Sequence, residues 1–179
     1  MNTRKLFIYI ACSLDGYIAK PNDDLSFLDV AAKEGEDYGY ADFISTIDTV
    51  IVGRKTYDWV MKQTGEFPHA KDKESYIITR TPRASERNLH FYDGDLKDLV
   101  TKLKSKQGEN IFCDGGSEVI KTLLDEGLVD EMIIFFMPIM VGAGTRLFRD
   151  GIPEKRVYLV TAKAYETGVV RVHYKFSEQ

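Results

Sequence analysis

The sequence predicts an α/β domain with a mixed, mostly parallel central sheet, helices on both faces and a C-terminal antiparallel hairpin. Three observations carry this expectation. Short apolar runs alternate along the chain with segments of helical periodicity, the pattern of strands joined by crossover helices. Residues 132–141 are almost wholly apolar and too short to cross a bilayer, as a central strand buried on both faces would be. Residues 156–164 and 169–176 flank Glu166-Thr167-Gly168, a turn between two strand-like runs.

The elements follow in order. Residues 5–12 form the first apolar strand, and Asp15-Gly16 and Pro21-Asn22-Asp23-Asp24 mark the loop after it. Tyr40, Phe43, Ile44 and Ile47 recur at helical spacing, which predicts a helix over residues 37–46. Residues 49–52 are a strand that Gly53 ends, and residues 54–62 read as a helix. Tyr76-Ile77-Ile78 and residues 89–92 are two further short strands. Asp95 is placed to cap a helix whose apolar face is Leu96, Leu99, Val100 and Leu103. Residues 110–113 are a strand, and Val119, Ile120, Leu123 and Leu124 give the next helix its apolar face. Pro138 is at odds with a strand reaching residue 141, because proline cannot donate to the ladder.

With 179 residues, 44% of them hydrophobic, the chain is expected to be one globular domain with a sizeable core. Asp and Glu total 28 against 24 Lys and Arg, a net charge of -4, and no long basic block occurs. Nucleic acid is therefore not an expected partner. The run after Arg4-Lys5 is short for a signal peptide, and no stretch of about 18 apolar residues exists, so a cytoplasmic protein without a membrane span is expected. Cys12 and Cys113 lack metal or redox spacing and read as buried thiols.

Three strand ends carry the same chemistry. Cys113-Asp114-Gly115-Gly116-Ser117-Glu118 runs from a strand through a double glycine into a helix, a place where backbone N–H groups and the helix dipole favour an anion. Gly53-Arg54-Lys55-Thr56 repeats the pattern with a guanidinium, an ammonium and a hydroxyl on the first helical turn. Thr79-Arg80-Thr81 follows a third strand, and in a dinucleotide site such an arginine suits the 2′-phosphate that separates NADP from NAD. Parallel strands place their carboxyl ends on one sheet edge, so the three converge on a phosphate-rich nucleotide. No P-loop signature occurs, and Gly142-Ala143-Gly144-Thr145-Arg146-Leu147 lacks the third glycine of a Rossmann fingerprint. His69, His90 and His173 have no ligand spacing, and His173 reads as a strand residue.

With these pieces in view the chain resembles the dihydrofolate reductase-like fold, in the branch shared with the reductase domain of bacterial riboflavin biosynthesis. The resemblance rests on residues 11–19, 52–57, 113–117 and 128–148, in the family's order. It implies NADPH and hydride transfer to a pterin- or aminopyrimidine-like small molecule, of the 5-amino-6-(5-phosphoribosylamino)uracil reductase type. It further implies that Ala11, Ile18 and Ala19 border the nicotinamide. Gly53, Arg54, Lys55 and Thr56, together with Gly115, Gly116, Ser117 and Glu118, would hold the pyrophosphate. Thr79, Arg80 and Thr81 would lie by the adenosine phosphate. The family often makes the double-glycine peptide cis, and its riboflavin branch forms homodimers. Two other readings stay open: reduction of dihydrofolate itself, and a non-catalytic NADP-binding or assembly protein.

Dihydrofolate reductases carry a carboxylate near the start of the helix before the Gly-Arg-x-Thr junction, and Asp37 lies at such a place. It is either a half-buried proton donor with a raised pKa or an ordinary helix cap. Asp15 reads as a loop residue holding its turn with Gly16. The chain lacks the Asp-x-Pro run of the riboflavin reductases, having Tyr57-Asp58-Trp59 instead, and it lacks the first-loop tryptophan of dihydrofolate reductases, having Leu25, Phe27 and Leu28.

Overall fold

The computed structural model describes residues 4–177. Its strands are β1 (Leu6–Ser13), β2 (Tyr17–Ala19), β3 (Ile47–Gly53), β4 (Glu74–Ile78), β5 (Leu89–Tyr92), β6 (Asn110–Cys113), β7 (Glu131–Met137), β8 (Thr145–Arg146), β9 (Tyr158–Ala164) and β10 (Val170–Lys175). Its α-helices are α1 (Tyr40–Ser45), α2 (Arg54–Thr64), α3 (Leu96–Lys104) and α4 (Ser117–Asp125). The main sheet has eight strands in the order β5-β4-β3-β6-β1-β7-β10-β9. From β5 to β7 all neighbours are parallel, and β10 joins antiparallel to both β7 and β9. The sheet class expected from the sequence is the one observed.

Two apolar layers sandwich the sheet. On one face Leu6, Ile8, Ile51, Ile111 and Cys113 pack against the apolar stripes of α3 and α4. Asp95 caps α3 by accepting from the Asp98 N–H at 3.0 Å, as its position predicts. On the other face Val50, Val52, Phe112, Ile133 and Phe135 pack with Phe43 of α1, Tyr57 of α2 and Phe27. Tyr9 stacks on Phe43 with ring centroids 4.3 Å apart, in a second layer rich in aromatic side chains.

The structure departs from the sequence expectation in three places. Helix α1 starts at Tyr40 rather than at residue 37, because Tyr38 (φ 57°) and Gly39 (φ 82°) take left-handed backbone and interrupt it. Strand β7 stops at Met137, directly before Pro138. A two-stranded sheet of β2 and β8 was not anticipated; it folds the Gly-rich segment back on the first loop. That closure requires Gly144, which has φ +137° and whose Cβ, if present, would overlap the Ala19 carbonyl oxygen.

Asp15 holds the same corner. It accepts from Ser13 Oγ (2.6 Å), the Val141 N–H (3.0 Å) and the Gly142 N–H (2.7 Å). The Ser13 hydroxyl, then the Val141 N–H, bring its pKa down to about 2, in keeping with a structural loop carboxylate. His173 sits at the opposite end of the sheet, its Nε2 2.6 Å from Glu131, as a strand residue. Both cysteines are buried and free. Among the described residues no helix is long and apolar enough to cross a membrane.

Candidate active site

The order β3-β6 places two strand-to-helix turns side by side. The Gly53 N–H donates to the Gly115 carbonyl oxygen at 2.7 Å, and the Asp114 N–H donates to the Ile51 carbonyl at 2.9 Å. The Gly115–Gly116 peptide bond is cis. Both helices that leave these turns begin without a side-chain cap, so their first N–H groups have no side-chain acceptor. The packing leaves little space: a Cβ on Gly53 would lie 3.2 Å from Val119 Cγ2 and 3.3 Å from the Gly116 nitrogen, and a Cβ on Gly116 would lie 3.2 Å from Thr56 Oγ1. Two uncapped helix starts, two glycines and a hydroxyl make a cradle suited to a pyrophosphate.

The charged residues around the cradle differ in their availability. Arg54 is tied to Asp58 by contacts of 2.8 and 2.7 Å to its two carboxylate oxygens. Lys55 lines an open groove of about 950 Å³ between residues 22–29 and α2, which Trp59 and Lys62 also line. Glu118 is paired with Arg149 at 3.2 Å, outside the cradle, and Ser117 is buried. Thr79 Oγ1 accepts from the Thr81 N–H at 3.0 Å, which shapes the turn after β4, while Arg80 is exposed. Ala11 packs into the aromatic layer and Ile18 against the opposite layer, with Ala19 buried between β1 and β8. The residues named from the sequence therefore gather at the carboxyl edge, except that Ile18 and Ala19 flank the edge from the small second sheet.

Asp37 differs from its expected part as a half-buried acid. It is exposed and accepts from the Gly39 N–H (2.8 Å) and the Ala41 N–H (3.0 Å). The Ala41 and Gly39 hydrogen bonds hold its carboxyl below the usual range, the opposite of a raised pKa. Of its two sequence readings, the cap fits the geometry.

A different carboxylate has the properties sought. Asp114 follows β6 and immediately precedes the double glycine. Side chains alternate along β6, so Asp114 leaves the sheet on the aromatic face with Phe112, opposite Cys113. Burial alone pushes its pKa up to about 7. Its Oδ2 lies 3.8 Å from His69 Nε2, but burial, with Lys73 nearby, lowers the pKa of His69 and keeps it neutral at pH 7. No full cation therefore offsets the raised pKa of Asp114. Its charge in turn adds to burial in raising Tyr40 to about 12.

The same face continues across the sheet. Tyr9 and Ala11 of β1, Phe135 of β7 and Arg171 of β10 all project from it, with Ala11 opposite Phe135 and Phe135 opposite Arg171. Asp114, His69, Tyr9 and Arg171 were not singled out from sequence. Only Asp114 carried a legible signal, a carboxylate at a strand end directly ahead of a double glycine. Arg171 becomes significant only once β10 is docked against β7.

The sequence profile of the RibD C-terminal domain matches residues 4–171. The uncharacterized protein YwjB of Bacillus subtilis (strain 168) is 37% identical over 172 residues, covering 96% of this chain and 97% of YwjB. Among solved structures, a candidate riboflavin biosynthesis protein from Shewanella sp. PV-4 superposes with a TM-score of 0.87 at 26% identity, covering 97% of this chain and 99% of that one. The diaminohydroxyphosphoribosylaminopyrimidine deaminase/5-amino-6-(5-phosphoribosylamino)uracil reductase of Thermotoga maritima shares the fold, with a TM-score of 0.72 at 15% identity over 98% of this chain and 57% of that one. On the match of nearly its whole length, the chain belongs to the RibD C-terminal domain family.

Proposed function

We propose that the protein is an NADPH-dependent reductase of a flat, nitrogen-containing heterocycle of the pyrimidine or pterin class. The observation that carries this reading is an adjacency: Asp114, with a pKa near 7, directly precedes the glycine cradle. The cradle fits a dinucleotide, since the space a Cβ would fill at Gly53 and Gly116 is what brings the two helix starts together. Gly53 to Thr56 and Gly115 to Glu118 would hold the pyrophosphate, Arg80 with Thr79 and Thr81 the 2′-phosphate, and Ala11, Ile18 and Ala19 the nicotinamide. NADPH bound there would supply a hydride to a C=N or carbonyl carbon of the substrate.

The chain's own residues do the rest. The aromatic layer around Tyr9 and Tyr40 gives a flat ring something to stack on and keeps water from it. Asp114, half protonated near pH 7 and more fully below it, donates its proton to the ring nitrogen or oxygen that becomes basic as the carbon is reduced. Asp37 takes no part in this step. Membership of a family with reductase relatives supports the reading, and reduced, buried thiols fit a cytoplasmic setting. Edge strand β9 exposes Leu159 and Val160, which fits the expected homodimer; sedimentation at micromolar concentration tests that point.

The reading is tested by following loss of NADPH absorbance against a panel of pyrimidines and pterins, dihydrofolate included. Oxidation with at least one pyrimidine or pterin, strongly slowed in Asp114→Asn, is expected. Tight NADPH binding with no oxidation by any member would favour the non-catalytic reading instead.

A further inference from the structure

One buried polar group on the aromatic face has no hydrogen-bond partner among the described residues. Arg171 is the second residue of β10, in register with Phe135 of β7 and Lys163 of β9. Its Nε is buried and has no hydrogen-bond partner. Among the described residues no carboxylate forms an ion pair with its guanidinium. Neighbouring groups are already committed. Asp37 is taken by the amides that open α1. Tyr38 donates to the Ala31 carbonyl and contacts Thr167, and Tyr165 donates to the Tyr38 carbonyl. The guanidinium does act on Tyr9, where its charge opposes the rise in pKa that burial causes.

A buried donor without an acceptor is destabilising, and a charged one more so. In a folded chain such a group calls for a partner from outside the chain or for a functional role. The chemistry of the missing acceptor can be read from the donor. A guanidinium is a planar fork that binds a planar oxyanion through two parallel N–H···O bonds. Because Arg171 pairs with Phe135 across the sheet and its Nε is buried, the acceptor must be carried on the ring of the substrate or one atom from it. A planar carboxylate satisfies both conditions, and a tetrahedral phosphate at the end of a sugar does not.

We propose that Arg171 is the specificity-determining residue of this site and that it selects a heterocycle bearing a ring carboxylate. The inference rests on the reductase reading for the site's purpose, but not for its test. Asp114 stands at the end of β6 and Arg171 on β10, three interstrand steps apart, roughly 14 Å between backbones. A flat ring over Tyr9 and Ala11 would therefore meet a proton donor at one end and a fixed cation at the other.

The probes are orotate, a pyrimidine with a ring carboxylate, uracil, which lacks it, and uridine monophosphate, whose anion is a sugar phosphate. Calorimetric titrations are run with and without NADP⁺ on the wild-type protein, Arg171→Gln and Arg171→Lys. Orotate is expected to bind at least tenfold more tightly than either other probe. Arg171→Gln should abolish that preference, and Arg171→Lys should keep only part of it. Because the Nε has no partner, Arg171→Gln should fold with an unchanged or higher melting temperature. Equal affinities, no orotate binding, tighter binding of the phosphate, or a preference that survives Arg171→Gln would overturn the proposal. Orotate selectivity in a protein that fails to bind NADPH would support it while sinking the reductase reading.

Discussion

The Gly53 N–H donates to the Gly115 carbonyl oxygen at 2.7 Å, which makes the turns after β3 and β6 one unit. The unit is tight: Gly53 has Val119 Cγ2 3.2 Å from where its Cβ would be. Gly53→Ala should therefore push the α4 start away from α2. The expected result is a loss of about 1–3 kcal/mol in denaturant unfolding, as for other overpacked sites, with NADPH affinity falling at least about tenfold. Calorimetry on the folded variant separates the two effects.

On the proposed reading, Asp114 sets the pH dependence of the reaction. As a proton donor with a pKa of about 7, it must be protonated to act, so kcat/KM for NADPH oxidation should fall as pH rises through about 7. Asp114→Asn should lower kcat by roughly 10²–10⁴-fold and remove that limb of the profile, with NADPH affinity unchanged. A retained limb in the variant would assign the proton to another group.

The same shift has a consequence for stability. In the unfolded chain Asp114 ionises near 3.8, and in the folded protein near 7. The folded state binds the extra proton between these values, so stability contributed below pH 3.8 is lost as pH rises, fully so above about pH 7. Asp114→Asn should be about neutral at pH 4 and more stable than wild type at pH 8. The ceiling is about 4 kcal/mol, lowered by the 30% of the side chain that reaches solvent. Urea melts at the two pH values give the difference directly.

Gly144→Ala tests the closure of the small second sheet. The residue has φ +137° and no space for a Cβ against the Ala19 backbone. A destabilisation of at least about 2 kcal/mol is expected, with the β2–β8 amides losing hydrogen-exchange protection first. Asp37→Asn provides the contrast: on the proposed reading kcat should be unchanged, because this exposed carboxylate accepts from the Gly39 and Ala41 N–H groups at the start of α1.

Much of the fold was legible because it follows local rules. Three helices were marked by apolar faces, and α3 by its Asp95 cap as well. The two glycine turns were marked by residues with few other reasons to be glycine. The cradle could be inferred because parallel strands bring their carboxyl ends together whatever their order. Asp37 was misplaced in burial because helical periodicity was extended backwards through Tyr38 and Gly39, whose left-handed backbone belongs to a turn. Asp114 and Arg171 were missed for a different reason. Asp114 showed locally as a carboxylate ahead of a double glycine but its burial did not, and Arg171 showed nothing, because pairing between β6, β1, β7 and β10, far apart in sequence, decides which side chains share a sheet face.

The most direct test of the central claim is a titration of the purified protein with NADPH and with NADH. Binding is followed by energy transfer from Trp59, the only tryptophan, and by calorimetry. Trp59 lines the same groove as Lys55, on the helix that starts at the cradle. Saturable binding of one NADPH per chain is predicted, at least about tenfold tighter than NADH, with that preference lost in Arg80→Gln. No energy transfer, no heat of binding and no rise in melting temperature at millimolar NADPH would contradict the account.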